Sequence, residues 1–140
     1  MKVGILNGPN LNLLGQREPE IYGQQGFETY LSVLRERYPN LEILYFQSNE
    51  EGALINALHD FAAQCEGIII NPAAFTHTSL ALADAAKGVS CPIIEVHISN
   101  VYQREGFRHK SYVSPAAKGV ITGLGLKGYE LALQALVEDQ

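Results

Sequence analysis

Positive charge is scarce in this chain: ten lysines and arginines stand against fifteen aspartates and glutamates, for a formal net charge of −5. A nucleic acid or an anionic membrane therefore finds no general basic surface, and neither is expected as a partner. Only residues 104–110 concentrate cations. Cysteine is nearly missing too. Cys65 and Cys91 lack metal-ligand spacing, and a 140-residue chain needs no disulfide, so both are expected to be small apolar fillers in a reducing compartment. Long apolar runs are also lacking. The first, residues 3–6, is too short for a signal peptide and nothing approaches membrane-spanning length, which makes the cytoplasm the expected location. No Gly-x-Gly-x-x-Gly or Walker A pattern follows a strand-like run, so dinucleotides and nucleoside triphosphates lack support. Gly8-Pro9-Asn10 has none of the hydroxyls of a flavin phosphate loop. A phospho-acceptor domain needs an acidic cluster at its strand ends, where Asn7 and Asn71 stand instead.

What is present is apolar patterning. With 46% hydrophobic residues, the chain is expected to form one domain over residues 1–140 with a sizeable core. Buried-strand runs at residues 3–6, 41–46, 68–70, 93–98 and 120–121 alternate with helical spacing. Phe27, Tyr30, Leu31, Leu34 and Tyr38 mark the first helix, and Leu54, Leu58 and Phe61 the second. An alanine-rich helix opens at Thr78 or Ser79 and runs to Lys87, and Leu126, Tyr129, Leu133 and Leu136 mark the last helix. Residues 73–77 read as a loop and residues 100–114 as an irregular polar segment. Five such alternations predict an α/β fold, a doubly wound sandwich around a five-stranded parallel sheet, with the flavodoxin-like order 2-1-3-4-5 as the natural arrangement.

Two polar residues break the fourth strand. Glu95 and His97 are two apart, so both side chains leave the same face. Burying a carboxylate beside an imidazole is costly unless they pair with each other or with a ligand. A satisfied structural pair and a histidine prepared for acid–base work are both compatible with the strand by itself. In such a sheet, ligands bind beyond the carboxyl ends of the strands. Asn7 with the loop after it, residues 71–77 and residues 97–100 all exit there, which favours the functional reading. His77 and His97 have spacing open to zinc, but no third soft ligand accompanies them. The expectation is metal-free acid–base chemistry on a polar, anionic small molecule.

The stretch 10–25 is far longer than the usual 2–6 residues between strand and helix and carries Asn10, Asn12, Arg17, Glu18 and Tyr22. It offers two candidate bases. Glu18 precedes Pro19 and suits a turn, whereas Tyr22 is a phenol backed by Gly23. A free tyrosine titrates near ~10, so about one in a thousand is ionised at pH 7. A nearby guanidinium, from Arg17 or Arg108, that raised this a hundredfold would contribute roughly 2.7 kcal/mol.

Four motifs then resemble one family. Asn7-Gly-Pro-Asn-Leu-Asn-Leu-Leu-Gly15 with Arg17-Glu18-Pro19 and Tyr22-Gly23 is similar to the first motif of the type II 3-dehydroquinate dehydratases. Asn71-Pro72-x-Ala74-x-Thr76-His77-Thr78-Ser79, Glu95-x-His97-x-Ser99-Asn100 and Arg104-x-x-Phe107-Arg108 resemble the others, in order, so the likeness spans nearly the whole chain.

The resemblance implies a flavodoxin-like fold and the reversible dehydration of 3-dehydroquinate to 3-dehydroshikimate through an enolate, in the shikimate or quinate pathway, with no metal or other cofactor. It implies Tyr22 as the base at C2, Arg17 holding it as phenolate, and His97 protonating the departing C1 hydroxyl under the influence of Glu95. Asn12 would stabilise the enolate oxygen through a water. The substrate carboxylate would lie on the backbone N–H groups of Ile98 and Ser99 and on the Ser99 hydroxyl, and Asn71, His77 and Arg108 would hold ring hydroxyls. Asp84 would approach from a neighbouring subunit of a homo-oligomer, a dodecamer built from trimers. The stretch 10–25 would act as a lid.

Overall fold

The computed structural model describes residues 1–16, 20 and 26–138. Five strands, β1 (Lys2–Asn7), β2 (Glu42–Gln47), β3 (Gly67–Asn71), β4 (Ile93–His97) and β5 (Gly119–Thr122), form one sheet in the order β2-β1-β3-β4-β5. Every pairing is parallel. The expected order is therefore the observed one. Among the described residues, four longer helices connect and cover it: α1 (Phe27–Arg37), α2 (Glu51–Gln64), α3 (Leu80–Gly88) and α4 (Lys127–Glu138).

The period of two along each strand divides the core. Val3, Ile5, Ile69, Ile94 and Val96 pack against α1 and α4 through Phe27, Leu31, Leu34, Tyr129, Leu133 and Leu136. Leu6, Ile68, Ile70 and Ile93 pack against α2 and α3 through Leu54, Leu58, Phe61, Leu82 and Ala86. The helix residues recur at i, i+3, i+4 and i+7, which is why each helix has one buried stripe. Full burial of one such aliphatic side chain is worth about 1.5–3 kcal/mol. In β4 this alternation sends Ile94 and Val96 to the α1/α4 side, so Glu95 and His97 share Ile93's side.

Ser79 resolves where α3 begins. Its hydroxyl caps the helix by accepting from Leu82 N at 2.9 Å and donates to Glu51 Oε2 at 2.5 Å, tying α3 to the first turn of α2. Two segments read as irregular are more ordered than expected. Residues 73–77 wind into a 3₁₀ turn, and residues 101–116 contain three more, Val101–Gln103, Gly106–Arg108 and Ser114–Ala116. Turns of three to five residues are too short to leave a hydrophobic period. No helix among the described residues is long and apolar enough to cross a membrane.

Candidate active site

The carboxyl ends of β1 and β3 are in register, with Asn7 opposite Asn71. Both side chains are buried, and a third group satisfies them. Tyr129 of α4 donates its hydroxyl to Asn7 Oδ1 at 2.8 Å and accepts from Asn71 Nδ2 at 2.9 Å. Complete burial pushes the Tyr129 phenol far above its ordinary range, so it stays a hydrogen-bond donor. Asn71 Oδ1 in turn accepts from Ala73 N at 3.1 Å, across a turn in which Ala73 takes φ 53°. That left-handed conformation is uncommon for alanine, and the side-chain bond from Asn71 holds it. With its oxygen and one N–H committed, Asn71 has one amide hydrogen left for a ligand. Gly8 follows β1 where a methyl group would lie 2.4 Å from the Pro72 carbonyl oxygen, so only glycine lets the two strand exits approach this closely.

Glu95 and His97 are 1% and 6% exposed, and they pair: His97 Nε2 lies 2.5 Å from Glu95 Oε2. The other carboxylate oxygen accepts from Ser111 Oγ at 3.0 Å and Ser114 Oγ at 2.9 Å. A carboxylate so surrounded is an acceptor, so Nε2 carries a ring hydrogen.

His77 sits beside this pair, its ring centroid 6.5 Å from that of His97. Its Nδ1 is 2.7 Å from the Lys110 carbonyl oxygen, which only accepts, so Nδ1 carries the hydrogen. Burial lowers the His77 pKa. The Lys110 carbonyl opposes this, and His97 and Arg108 add to it. The neutral ring therefore offers Nε2 as an acceptor. Arg108 donates Nε to both oxygens of Glu105 at 3.2 and 3.3 Å. Arg104 Nη1 donates to Ser99 Oγ at 3.3 Å.

Several of these groups border one cleft of about 150 Å³, lined among others by Asn10, Asn71, Ala73, His77, His97, Arg104 and Arg108. Of the residues expected at the site, His97, His77, Asn71 and Arg108 are thus brought together. Glu95 lies behind His97 and lines a smaller adjoining cavity. Ser99 follows β4 beside Arg104, and Ile98 is buried on the α1/α4 side. Asn12 is exposed on the turn Leu11–Leu13, and Asn10 of that turn lines the cleft instead. Asp84 is exposed on α3 and does not line this cleft. Arg17, Glu18 and Tyr22 lie outside the described residues. Sequence reasoning did not single out Tyr129, Ser111 or Ser114. Tyr129 read only as a packing position on its helix, and the two serines fall in a segment without period.

A donor–acceptor lining of this kind, with a buried carboxylate–imidazole pair, suits proton transfer on a small polar anion. The family model for class II dehydroquinase matches residues 1–137. The 3-dehydroquinate dehydratase of Psychromonas ingrahamii is 54% identical over 139 residues, covering 98% of this chain and 93% of that one. The crystal structure of the type II dehydroquinase from Butyrivibrio crossotus superimposes with a TM-score of 0.94 at 46% identity, covering 98% of this chain and 97% of its own. That from Propionibacterium acnes gives 0.93 at 45% identity, covering 98% and 96%. The family match over residues 1–137 and these relatives at 45–54% identity settle it: the chain belongs to the class II dehydroquinase family.

Proposed function

We propose that this chain dehydrates 3-dehydroquinate reversibly to 3-dehydroshikimate, and that it does so by acid–base chemistry through an enolate. The observation that carries this reading is the buried Glu95–His97 pair whose imidazole lines the cleft shared by Asn71, His77 and Arg108. The substrate is a β-hydroxy ketone. Its dehydration needs a base at C2, an acid at the C1 hydroxyl and charge stabilisation on the ketone oxygen, and these three demands need no metal or redox partner.

Tyr22, as phenolate beside Arg17, removes the C2 proton, and the electron pair moves into the enolate. Asn12 stabilises that oxygen through a water. The enolate then collapses with loss of the C1 hydroxyl, which takes a proton from His97 and leaves as water. Nε2–H of the His97 imidazolium is held by Glu95, so Nδ1–H is the group that gives up this proton. Tyr22 and His97 return to their starting states by exchange with solvent. The carboxylate rests on the N–H groups of Ile98 and Ser99 and the Ser99 hydroxyl, with Arg104 adjacent. Asn71 donates to a ring hydroxyl oxygen and His77 Nε2 accepts from a ring hydroxyl, which follows from their hydrogen-bond commitments above. Arg108, with Nε on Glu105, has its two NH₂ groups for the ring hydroxyls.

Residues 1–140 act as one domain in which the stretch 10–25 serves as the lid. Leu11 and Leu14 are buried, so its first turn is anchored to the core. The enzyme works in the cytoplasm, in the shikimate or quinate pathway; its two unpaired cysteines suit a reducing compartment. Adding 3-dehydroquinate to the purified protein is expected to produce the enone absorbance of 3-dehydroshikimate. Binding without any rise in absorbance would make the chain a sequestering module and sink the catalytic reading.

Assembly is part of the proposal. Leu80 is 63% exposed, and Asp84 lies one helical turn further along the same face of α3. Tyr102, Phe107 and Leu124 are also large, apolar and exposed. Covering α3 with a second copy brings Asp84 to the neighbour's cleft, in a dodecamer built from trimers. Light scattering is expected to give a mass twelve times the 15.3 kDa chain. A fully active 15.3 kDa monomer would contradict the neighbour's role for Asp84.

A further inference from the structure

We infer that Ser111 and Ser114 are positioning residues that hold Glu95 as an anion and thereby keep the Nε2 proton on the catalytic ring of His97. The inference rests on His97 being the proton donor proposed above. Its basis is the direction of each hydrogen bond. Ser111 Oγ accepts from Val113 N at 3.2 Å and from Ser114 N at 3.0 Å. With both lone pairs committed, its hydrogen points to Glu95 Oε1. Ser114 Oγ donates to the same oxygen at 2.9 Å. Two donors on Oε1 leave it no room to carry a proton, and Oε2 faces His97 Nε2. The proton shared across that contact is therefore kept on the imidazole.

The same stretch of chain also sets the second imidazole. The Lys110 carbonyl fixes His77 Nδ1–H, and Tyr112 N donates to the Thr76 carbonyl oxygen at 2.9 Å, clamping residues 110–114 onto the His77 turn. The other titratable or charged groups lining the two cavities around the pair are His77, Arg104 and Arg108, with Tyr102 and His109 at the smaller one. They surround the imidazole; the serine hydroxyls act on the carboxylate.

Without the serines, Glu95 is a stronger base and draws the shared proton off Nε2. With that proton on Glu95, His97 becomes a neutral Nδ1–H imidazole in place of an imidazolium, a far weaker acid toward the leaving hydroxyl. Ser114→Ala is the cleaner variant, because the Ser114 hydroxyl serves Glu95 while that of Ser111 also caps its own turn. The expected result is about a tenfold loss of kcat for Ser114→Ala and up to about a hundredfold for Ser111→Ala/Ser114→Ala, with KM changed less than about twofold and Ser114→Thr restoring activity. Ring ¹⁵N shifts of the ligand-free protein are expected to show Nε2–H at His97 in the wild type and a mixture of ring forms in the variants. Unchanged kcat and an unchanged His97 ring in Ser114→Ala would overturn the inference, as would a loss confined to KM or to the melting temperature. Should the double variant fail to fold, Ser114→Ala decides alone. If His97→Ala retained turnover, the acid role would fail, while the ¹⁵N result would still report separately on the serines.

Discussion

Tyr22→Phe is expected to leave the fold and substrate binding intact and to lose about three to four orders of magnitude in turnover, the upper range for a general base. The substitution removes one oxygen and keeps the ring, so the hydroxyl proposed to take the C2 proton is the one group lost. The size of the loss follows from the chemistry. A free phenol is ionised only about one part in a thousand at pH 7, so its use as a base depends on a neighbouring cation. In the proposed mechanism Arg17, five residues earlier in the chain, supplies that cation. Calorimetric binding of 3-dehydroquinate beside steady-state rates separates the two effects: affinity held and kcat lost is the expected pair. Near-normal turnover would move the base to Glu18 in the same stretch.

His97→Ala is expected to lose about two to four orders of magnitude in kcat, because the C1 hydroxyl must then leave as hydroxide. It also strands Glu95, which is 1% exposed and would keep only its serine partners. Removing one member of a buried ion pair costs about 3–5 kcal/mol of stability. A melting curve measured with the kinetics therefore belongs to the experiment, and rates are compared below the variant's own transition. A rise in KM with kcat preserved would make His97 a binding residue.

Much of this arrangement was legible in the chain because it is periodic. Glu95 and His97 announced themselves as polar residues two apart in a buried strand, and the structure pairs them at 2.5 Å. The sheet order followed from five alternating strands and helices, and the strand exits met at one edge as the fold class requires. What could not be read is long-range and aperiodic. Tyr129 falls on its helix's buried stripe, and nothing local says that its hydroxyl meets Asn7, 122 residues away. Glu130 is the next residue and a carboxylate, yet it is 5% exposed. It is tolerated there because Arg37, Tyr38 and Lys127 converge on it. Burial opposes its ionisation, but the hydrogen bonds from Tyr38 and Lys127, with the charges of Lys127 and Arg37, bring its pKa below the ordinary value. Ser111 and Ser114 reach Glu95 from a segment of short 3₁₀ turns, where no spacing rule points across 16 to 19 residues.

In the proposed mechanism a phenolate and an imidazolium, and no covalent intermediate, carry the elimination. The rival route to the same product forms a Schiff base on a lysine of lowered pKa, which needs burial or an adjacent cation. The chain has five lysines. Lys2 is at the amino end of the sheet, bonded to Gln64 and 3.6 Å from Glu42. Lys87 is exposed at the end of α3, Lys127 pairs with Glu130, and Lys118 precedes β5. Lys110 meets the cleft residue His77 through its carbonyl, but its side chain is exposed, with the ammonium 4.7 Å from the centre of the Tyr112 ring. The direct measurement is to incubate the protein with 3-dehydroquinate and borohydride, then assay fresh substrate by enone absorbance and weigh the intact chain. Undiminished activity and an unchanged mass are the predicted result; substrate-dependent inactivation with an adduct on a lysine, Lys110 above all, would contradict the enolate mechanism.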